Sequence, residues 1–287
     1  MTLVPRFFAE YQRQIDGELR QVVPGSSSRV EEAMAYALHA PSKRIRPVLT
    51  LLTAELCGGT VAGALTAACA MEMVHASSLI LDDLPSMDDA AVRRGKPATH
   101  IEFGEAIAIL AAFGLLNDAF KSIAREYEPP LASRMTALLS DAVGADGLIG
   151  GQTADLLATD QQITFEMLER IHRGKTGALF SAAASSGALT AGASSDLVAA
   201  LQTFAKNLGL AFQIVDDLLD VEGDPAITGK PVRGDVKKTT FVSFSGPAGA
   251  RQLATELCHT ADRALHPFGS RAERLRELSA FVAARMG

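Results

Sequence analysis

Two groups of aspartates stand about 130 residues apart in this 287-residue chain. The first is Asp82-Asp83-Leu84-Pro85-Ser86-Met87-Asp88-Asp89 and the second is Asp216-Asp217-Leu218-Leu219-Asp220. Each closes an apolar run, Ser-Leu-Ile-Leu before the first and Ala-Phe-Gln-Ile-Val before the second. Carboxylates crowded at the end of a buried segment repel one another and lose hydration, so they persist where a cation meets them. Hard divalent ions, Mg²⁺ above all, are the natural partners, and Mg²⁺ sites commonly join one or two carboxylates to a substrate phosphate.

The two groups differ in spacing. Asp216 and Asp220 are i, i+4, and Asp217 and Asp220 are i, i+3, which on a helix puts them on adjacent parts of one face. Asp82 and Asp88 are six apart and would diverge on a straight helix. Pro85 disfavours helical geometry at Leu84, so the helix is expected to end or kink there and the chain to swing Asp88 back toward Asp82. The bland alternative for both groups is a solvated acidic helix end or turn.

Basic residues surround these motifs in the sequence: Ser42-Lys43-Arg44-Ile45-Arg46-Pro47, His75, Arg93-Arg94-Gly95-Lys96, Lys175-Thr176 after Gly174, and Lys230, Lys237 and Lys238. Singly, each is more often a solvated charge or a core histidine than a ligand contact. Together they describe a site for two polyanions, one chelated through metal and one gripped by Lys and Arg. Nucleotide motifs fail on inspection. A phosphate loop ending at Gly174-Lys175-Thr176 needs a glycine where Glu169 stands, and Gly229-Lys230 is followed by Pro231.

The elements that must position these residues are helical. Val30, Ala33, Met34, Ala37 and Leu38 recur at helical spacing, and Val61 to Leu81 is apolar almost all round, as in a central buried helix. Ser181 to Ala193 reads as a tightly packed core helix, and Lys175 and Thr176 also fall within a helical stretch. Breaks are expected at Pro24-Gly25, Pro41, Gly58-Gly59, Pro85, Gly95 to Pro97, Pro129-Pro130, Gly144 to Gly151, Gly223 to Pro231 and Gly246-Pro247. This pattern is an all-α bundle of ten or more helices in a single domain over residues 1–287.

Composition sets outer bounds. A hydrophobic share of 48% is ample for a large core, and a net charge of −6 argues against a general nucleic-acid binder. The cysteines Cys57, Cys69 and Cys258 form no CxxC pair, as expected of free thiols in a reducing compartment. The first residues carry Arg6, Glu10 and Arg13 and no apolar leader, and the longest apolar run, Ala106 to Leu116, is short for a spanning helix. A cytoplasmic protein that does not span a membrane is therefore expected.

These motifs, in this order, resemble the trans-isoprenyl diphosphate synthases, the short-chain polyprenyl synthases, over nearly the whole chain. The resemblance rests on Ser42 to Pro47, His75 with the following Ser-Leu-Ile, and the longer first aspartate motif running through Arg93-Arg94-Gly95. It rests also on Lys175-Thr176, and on Phe212-Gln213 through Asp220 with Gly229-Lys230. It implies an orthogonal helical bundle around a deep central cavity, usually a homodimer. Three Mg²⁺ ions would bridge the diphosphate of an allylic substrate to Asp82, Asp88 and Asp216, with Asp83, Asp217 and Asp220 nearby. Arg93, Lys175, Lys230 and Lys238 would grip that diphosphate, and Thr176 and Gln213 would face the developing allylic cation. Ser42 lies in the segment that, with Lys43, Arg46, His75 and Arg94, would hold isopentenyl diphosphate. The family's usual Gly-Gly before Lys-Arg is Pro41-Ser42 here.

The resemblance also offers a reading of product length. Ser77 and Ser78, five and four residues before Asp82, face the tail pocket in the family, where an aromatic residue would resemble the farnesyl (C15) synthases. Val74 stands one helical turn deeper, about 5.4 Å. Each buried CH₂ is worth about 0.8 kcal/mol, so a steric floor can decide length. Ser77 with the run Ile109 to Phe113 resembles bacterial geranylgeranyl diphosphate synthases, which implies a C20 product with Phe113 as candidate floor. A farnesyl diphosphate synthase is the nearest alternative. A class I terpene cyclase or a non-catalytic regulatory subunit fits the intact motifs less well.

Overall fold

The structure is a computed structural model that describes residues 5–25, 27–222 and 239–286. Among the described residues it is helical apart from one two-stranded ribbon. The central element is α4 (Val61–Asp82), whose apolar surface on all sides is explained by its neighbours: α1 (Arg6–Val22), α2 (Arg29–Leu38), α3 (Ile45–Leu56), α6 (Glu105–Glu126) and α10 (Ala178–Thr190) all pack on it. One cluster of buried side chains runs from Phe8 in α1 to Val282 in α13 (Glu273–Ala283).

Local chemistry fixes the helix ends. Ser28, Thr60 and Thr164 each accept a backbone N–H three residues on, and Thr240 forms a reciprocal cap with Ser243 at the start of α12 (Phe241–Ala264). The expected breaks at Pro24-Gly25, Pro41, Gly58-Gly59, Pro85 and Gly95 to Pro97 all fall between helices, the last of them in the ribbon, and Gly246 kinks α12 before Pro247. Gly223 to Pro231 lies outside the described residues. Gly150 and Gly151, by contrast, belong to α8 (Leu148–Ala158).

The helical stretch containing Lys175 is not a plain α-helix. Between α9 (Phe165–His172) and α10, residues Arg173–Gly177 form a single π-helical turn. Such one-turn π bulges within helices frequently mark functional sites. Helix α8 presses on this turn. A Cβ on Gly151 would lie 2.1 Å from the Lys175 nitrogen, so only glycine permits the approach.

By length and composition α4, α6 and α11 (Ser195–Glu222) could each cross a membrane, which a search for unbroken apolar runs misses. The apolarity of α4 is used within the bundle, whereas α6 leaves an apolar stripe uncovered that includes Leu110 and Phe113.

The contact between α8 and the π turn gives a direct test. Gly151→Ala should lower folding stability by about 1–3 kcal/mol, the usual cost of overpacking, seen as a lower midpoint in denaturant. An unchanged midpoint would mean that the two backbones are not in contact.

Candidate active site

Neighbouring residues on a helix diverge by roughly 100°, so the two aspartates of each Asp-Asp pair cannot face the same way. At the end of α4, His75, Ser78, Leu79 and Asp82 lie partly exposed along one face while the residues between them are mostly buried. On α11 the partly exposed face is Phe212, Gln213, Asp216, Leu219 and Asp220. Asp82, Asp216 and Asp220 are on these partly exposed faces, which the Lys175–Thr176 turn links. The second member of each pair turns inward. Asp83 accepts Arg93 Nε at 2.9 and 3.1 Å on its two oxygens, and Asp217 accepts Gln213 Nε2 at 3.0 Å and the Phe241 N–H at 3.1 Å. Asp83 and Asp217, expected among the metal carboxylates, are thus held by the protein itself.

The six-residue spacing of the first motif resolves as the proline implied. Helix α4 ends at Asp82, and the Asp88 N–H returns to the Asp82 carbonyl at 2.9 Å while the Ala90 N–H reaches the Asp83 carbonyl at 3.2 Å. Asp89 closes the turn with a φ of 48°.

The π turn joins the two motifs. Lys175 Nζ sits 2.8 Å from Asp155 Oδ2 and 3.8 Å from Asp82 Oδ2. The next residue, Thr176, donates to Gln213 Oε1 at 3.2 Å, and Gln213 continues to Asp217. Asp155 escaped the sequence reading. The only signal for it is that Gln152 and Asp155 stand i, i+3 on the otherwise largely apolar α8.

A second group of cations gathers around Glu72. Arg44, in the left-handed region at φ 51°, is buried and donates to Glu72 at 2.6 Å, to Asp16 at 2.9 Å and to the Leu38 carbonyl at 2.7 Å. Glu72, 1% exposed, also accepts the Ser42 hydroxyl at 3.2 Å and has Arg94 at 3.9 Å. Ser42 therefore anchors this loop where the family carries glycine, and Gln12 holds the Lys43 carbonyl at 3.0 Å. Lys43 is exposed in the electrostatic field of Asp216 and Arg285. The guanidinium of Arg46 lies over the Phe180 ring at 4.7 Å, and Phe180 meets Phe212 at 5.7 Å. Arg285, from the last described turn, stacks on Phe212 at 4.7 Å and donates to Asp216 at 2.6 Å. Nothing in the sequence pointed to Arg285, because the fold alone brings it to α11.

Burial pushes the Arg46 guanidinium down to about 10. Burial also holds the His75 imidazole well below its ordinary value, with the positive charges of Arg46 and Arg94 adding to the effect. His75 is therefore neutral at pH 7, and its Nε2 lies 3.4 Å from Arg46 Nη1.

Two expected residues stand elsewhere. Phe113 is 61% exposed on the outer side of α6 and forms no floor within the single chain. Ser77 is 4% exposed, with its hydroxyl donating to the Ala112 carbonyl of α6 at 2.8 Å, so it seals the α4–α6 seam. Val74 is buried behind it, and Ser78 donates back to the His75 carbonyl at 2.9 Å. Lys230, Lys237 and Lys238 lie outside the described residues.

The donor chemistry of Asp82, Asp88, Asp216 and Asp220 fits a hard divalent ion. Among the described residues no three His, Cys, Asp or Glu groups close around one point. Ions held here would need further oxygen donors, as Mg²⁺ takes from substrate phosphates.

The state of His75 has a consequence for stability. Its folded pKa lies below the unfolded value of about 6.5, so the unfolded chain binds the proton first and stability falls as pH drops below that value. His39, also depressed, adds a parallel slope. His75→Gln should flatten the fall in Tm between pH 7 and pH 5. The same slope in both proteins would remove His75 as its source.

Comparison with known proteins accords with this arrangement. A family model described as polyprenyl synthetase matches residues 27–248. The farnesyl diphosphate synthase of Geobacillus stearothermophilus is 40% identical over 98% of each chain. The geranylgeranyl diphosphate synthase of Cyanophora paradoxa is 40% identical over 96% of this chain and 95% of its own. Among solved structures, an FPP/GFPP synthase from Zymomonas mobilis superposes with a TM-score of 0.87 at 33% identity, covering 96% of this chain and 97% of its own. A geranyltransferase from Legionella pneumophila gives 0.87 at 32% identity, covering 98% and 96%. With two carboxylate motifs meeting across a lysine-bearing π turn, and with matches spanning nearly its full length, the chain belongs to the polyprenyl synthetase family.

Proposed function

We propose that this prenyltransferase condenses isopentenyl diphosphate with an allylic diphosphate (dimethylallyl, geranyl or farnesyl) in an Mg²⁺-dependent reaction whose end product is geranylgeranyl diphosphate, C20. The observation that carries the reading is the link from Asp82 through Lys175 and Thr176 to Gln213 and the second motif. It ties a carboxylate of the first motif, an ammonium and two uncharged oxygen dipoles to a carboxylate of the second through adjacent residues of one turn.

Asp82, Asp88, Asp216 and Asp220 would hold the metal. Mg²⁺, once bound, supplies Lewis-acid neutralisation of the leaving diphosphate. Lys175, oriented by Asp155, is aimed at the same anion, and Lys230 and Lys238 are proposed to join it. Electrostatic stabilisation of this kind is effective because the groups are already in place before the bond breaks. The allylic C–O bond breaks and diphosphate departs with the electron pair. Thr176 and Gln213 turn oxygen lone pairs toward the allylic cation. The isopentenyl double bond forms the new C–C bond, and the proton lost goes to the departed diphosphate. Lys43, Arg46, His75 and Arg94 hold the isopentenyl diphosphate, the neutral His75 as an N–H donor.

A second reading, a C15 product, is favoured by one observation: Ser77 closes the seam between α4 and α6 rather than opening into it. Relatives of both kinds are equally similar. The uncovered α6 stripe supports a homodimer, and the three free cysteines support a reducing, cytoplasmic setting.

Purified protein given labelled isopentenyl diphosphate, farnesyl diphosphate and Mg²⁺ should yield C20 by chromatography, and EDTA should abolish turnover. Accumulation of C15 from dimethylallyl diphosphate, with farnesyl diphosphate left unused, would establish the shorter product instead. Ser77→Phe, which pushes a ring into the α4–α6 seam, should shorten the product spectrum, and an unchanged spectrum would separate that seam from the product pocket.

A further inference from the structure

Arg93 and Arg94 reach the site on a ribbon that cannot hold its own shape. Its strands are two residues each, β1 (Val92–Arg93) and β2 (Lys96–Pro97), paired Val92 with Pro97 and Arg93 with Lys96. Even full-length isolated hairpins are at best marginal in water. The two turn residues, Arg94 at φ 53° and Gly95 at φ 76°, are both in the left-handed region, as a tight hairpin of this hand requires. A non-glycine residue persists there only where its surroundings over-determine it.

One anchor is evident: Arg93 on β1 is clamped to Asp83. The β2 side has another, from a residue the chemistry does not use. Tyr36 on α2 donates its hydroxyl to the Pro97 carbonyl at 2.9 Å. Its ring lies 5.4 Å from Lys96 Nζ and meets Phe103 edge-on at 5.3 Å. Tyr36, Asp83, Arg93 and Arg94 line one narrow crevice behind the first aspartate motif. Tyr36 thus holds the strand that follows the Arg94-Gly95 turn, and Arg94, 3.9 Å from Glu72, is one of the cations assigned above to isopentenyl diphosphate.

We propose that Tyr36 is a positioning residue for Arg94, and through it for isopentenyl diphosphate, on the reading of function given above. Tyr36→Phe keeps the ring, its contact with Lys96 and its packing on Phe103, and removes only the bond to Pro97. One such hydrogen bond corresponds to a change of roughly five-fold. The KM for isopentenyl diphosphate should rise by about that factor, with kcat and the KM for the allylic primer within roughly two-fold of wild type. In an Arg94→Ala background Tyr36→Phe should add nothing further. A lowered Tm with unchanged KM would reduce Tyr36 to a structural tether. A full additional rise in the Arg94→Ala background would show that it does not act through Arg94. Wild-type protein without turnover would overturn the function and not this inference. The readout is then the Kd for inorganic diphosphate, which Tyr36→Phe must still weaken and must leave unaltered in the Arg94→Ala background.

Discussion

The site depends on a division of labour forced by helix geometry. Adjacent aspartates on a helix point in directions roughly 100° apart, and in both motifs the protein uses that divergence. Asp83 and Asp217 turn inward and are tied to Arg93, to Gln213 and to the Phe241 N–H. Asp82 and Asp216 stay partly exposed. The inward carboxylates fix the ends of α4 and α11, the ribbon after the first motif and the start of α12. The outward ones are therefore carried on a frame that these hydrogen bonds tie together. An inward carboxylate replaced by a neutral residue would leave Arg93 or a backbone N–H unpaired, and breaking a buried ion pair costs about 3–5 kcal/mol.

The cations obey the same logic with the sign reversed. A half-buried patch holding Arg44, Arg46, Arg94 and His75 would be costly without compensation. Glu72 supplies it from within α4, touching Arg44, Ser42 and Arg94 at once. His75 escapes repulsion by remaining neutral. Three of the non-glycine residues with positive φ, Arg44, Asp89 and Arg94, lie in the loops that deliver these groups. Strain of that kind persists where surrounding contacts dictate it, and here those contacts are Glu72, the Asp82–Asp88 turn and Tyr36.

Much of this was legible before any fold was known. The bend after Asp82 follows from Pro85, the central burial of α4 from its lack of a polar face, and the helix breaks from glycine and proline. The rest was not legible, for identifiable reasons. The π turn at Arg173–Gly177 has the composition of ordinary helix. It lies against α8 at an approach that only Gly151 and Gly174 permit, a contact that sequence spacing does not reveal. Asp155 reads as one surface acid until α8 is placed beside Lys175. Arg285 reaches Asp216 across 69 positions of sequence, a distance over which no periodicity speaks. Phe113 misleads because large aromatics are usually interior, and whether an apolar helix face meets its own core or lies uncovered is decided by which helices surround it.

That last point bears on how product length is set. The seam behind Ser77 is built from small residues, with Ala108, Ala111 and Ala112 of α6 all buried against α4. Small side chains here do not leave a hole. They let two backbones come together until the Ser77 hydroxyl reaches a main-chain carbonyl of α6. A growing apolar tail needs volume, and in a close-packed interior volume appears only where helices are held apart. On the proposed reading, the separation of α4 and α6 would then matter more than the size of any one residue on either. What covers the outer stripe of α6, where Leu110 and Phe113 lie, acts on that separation from the far side.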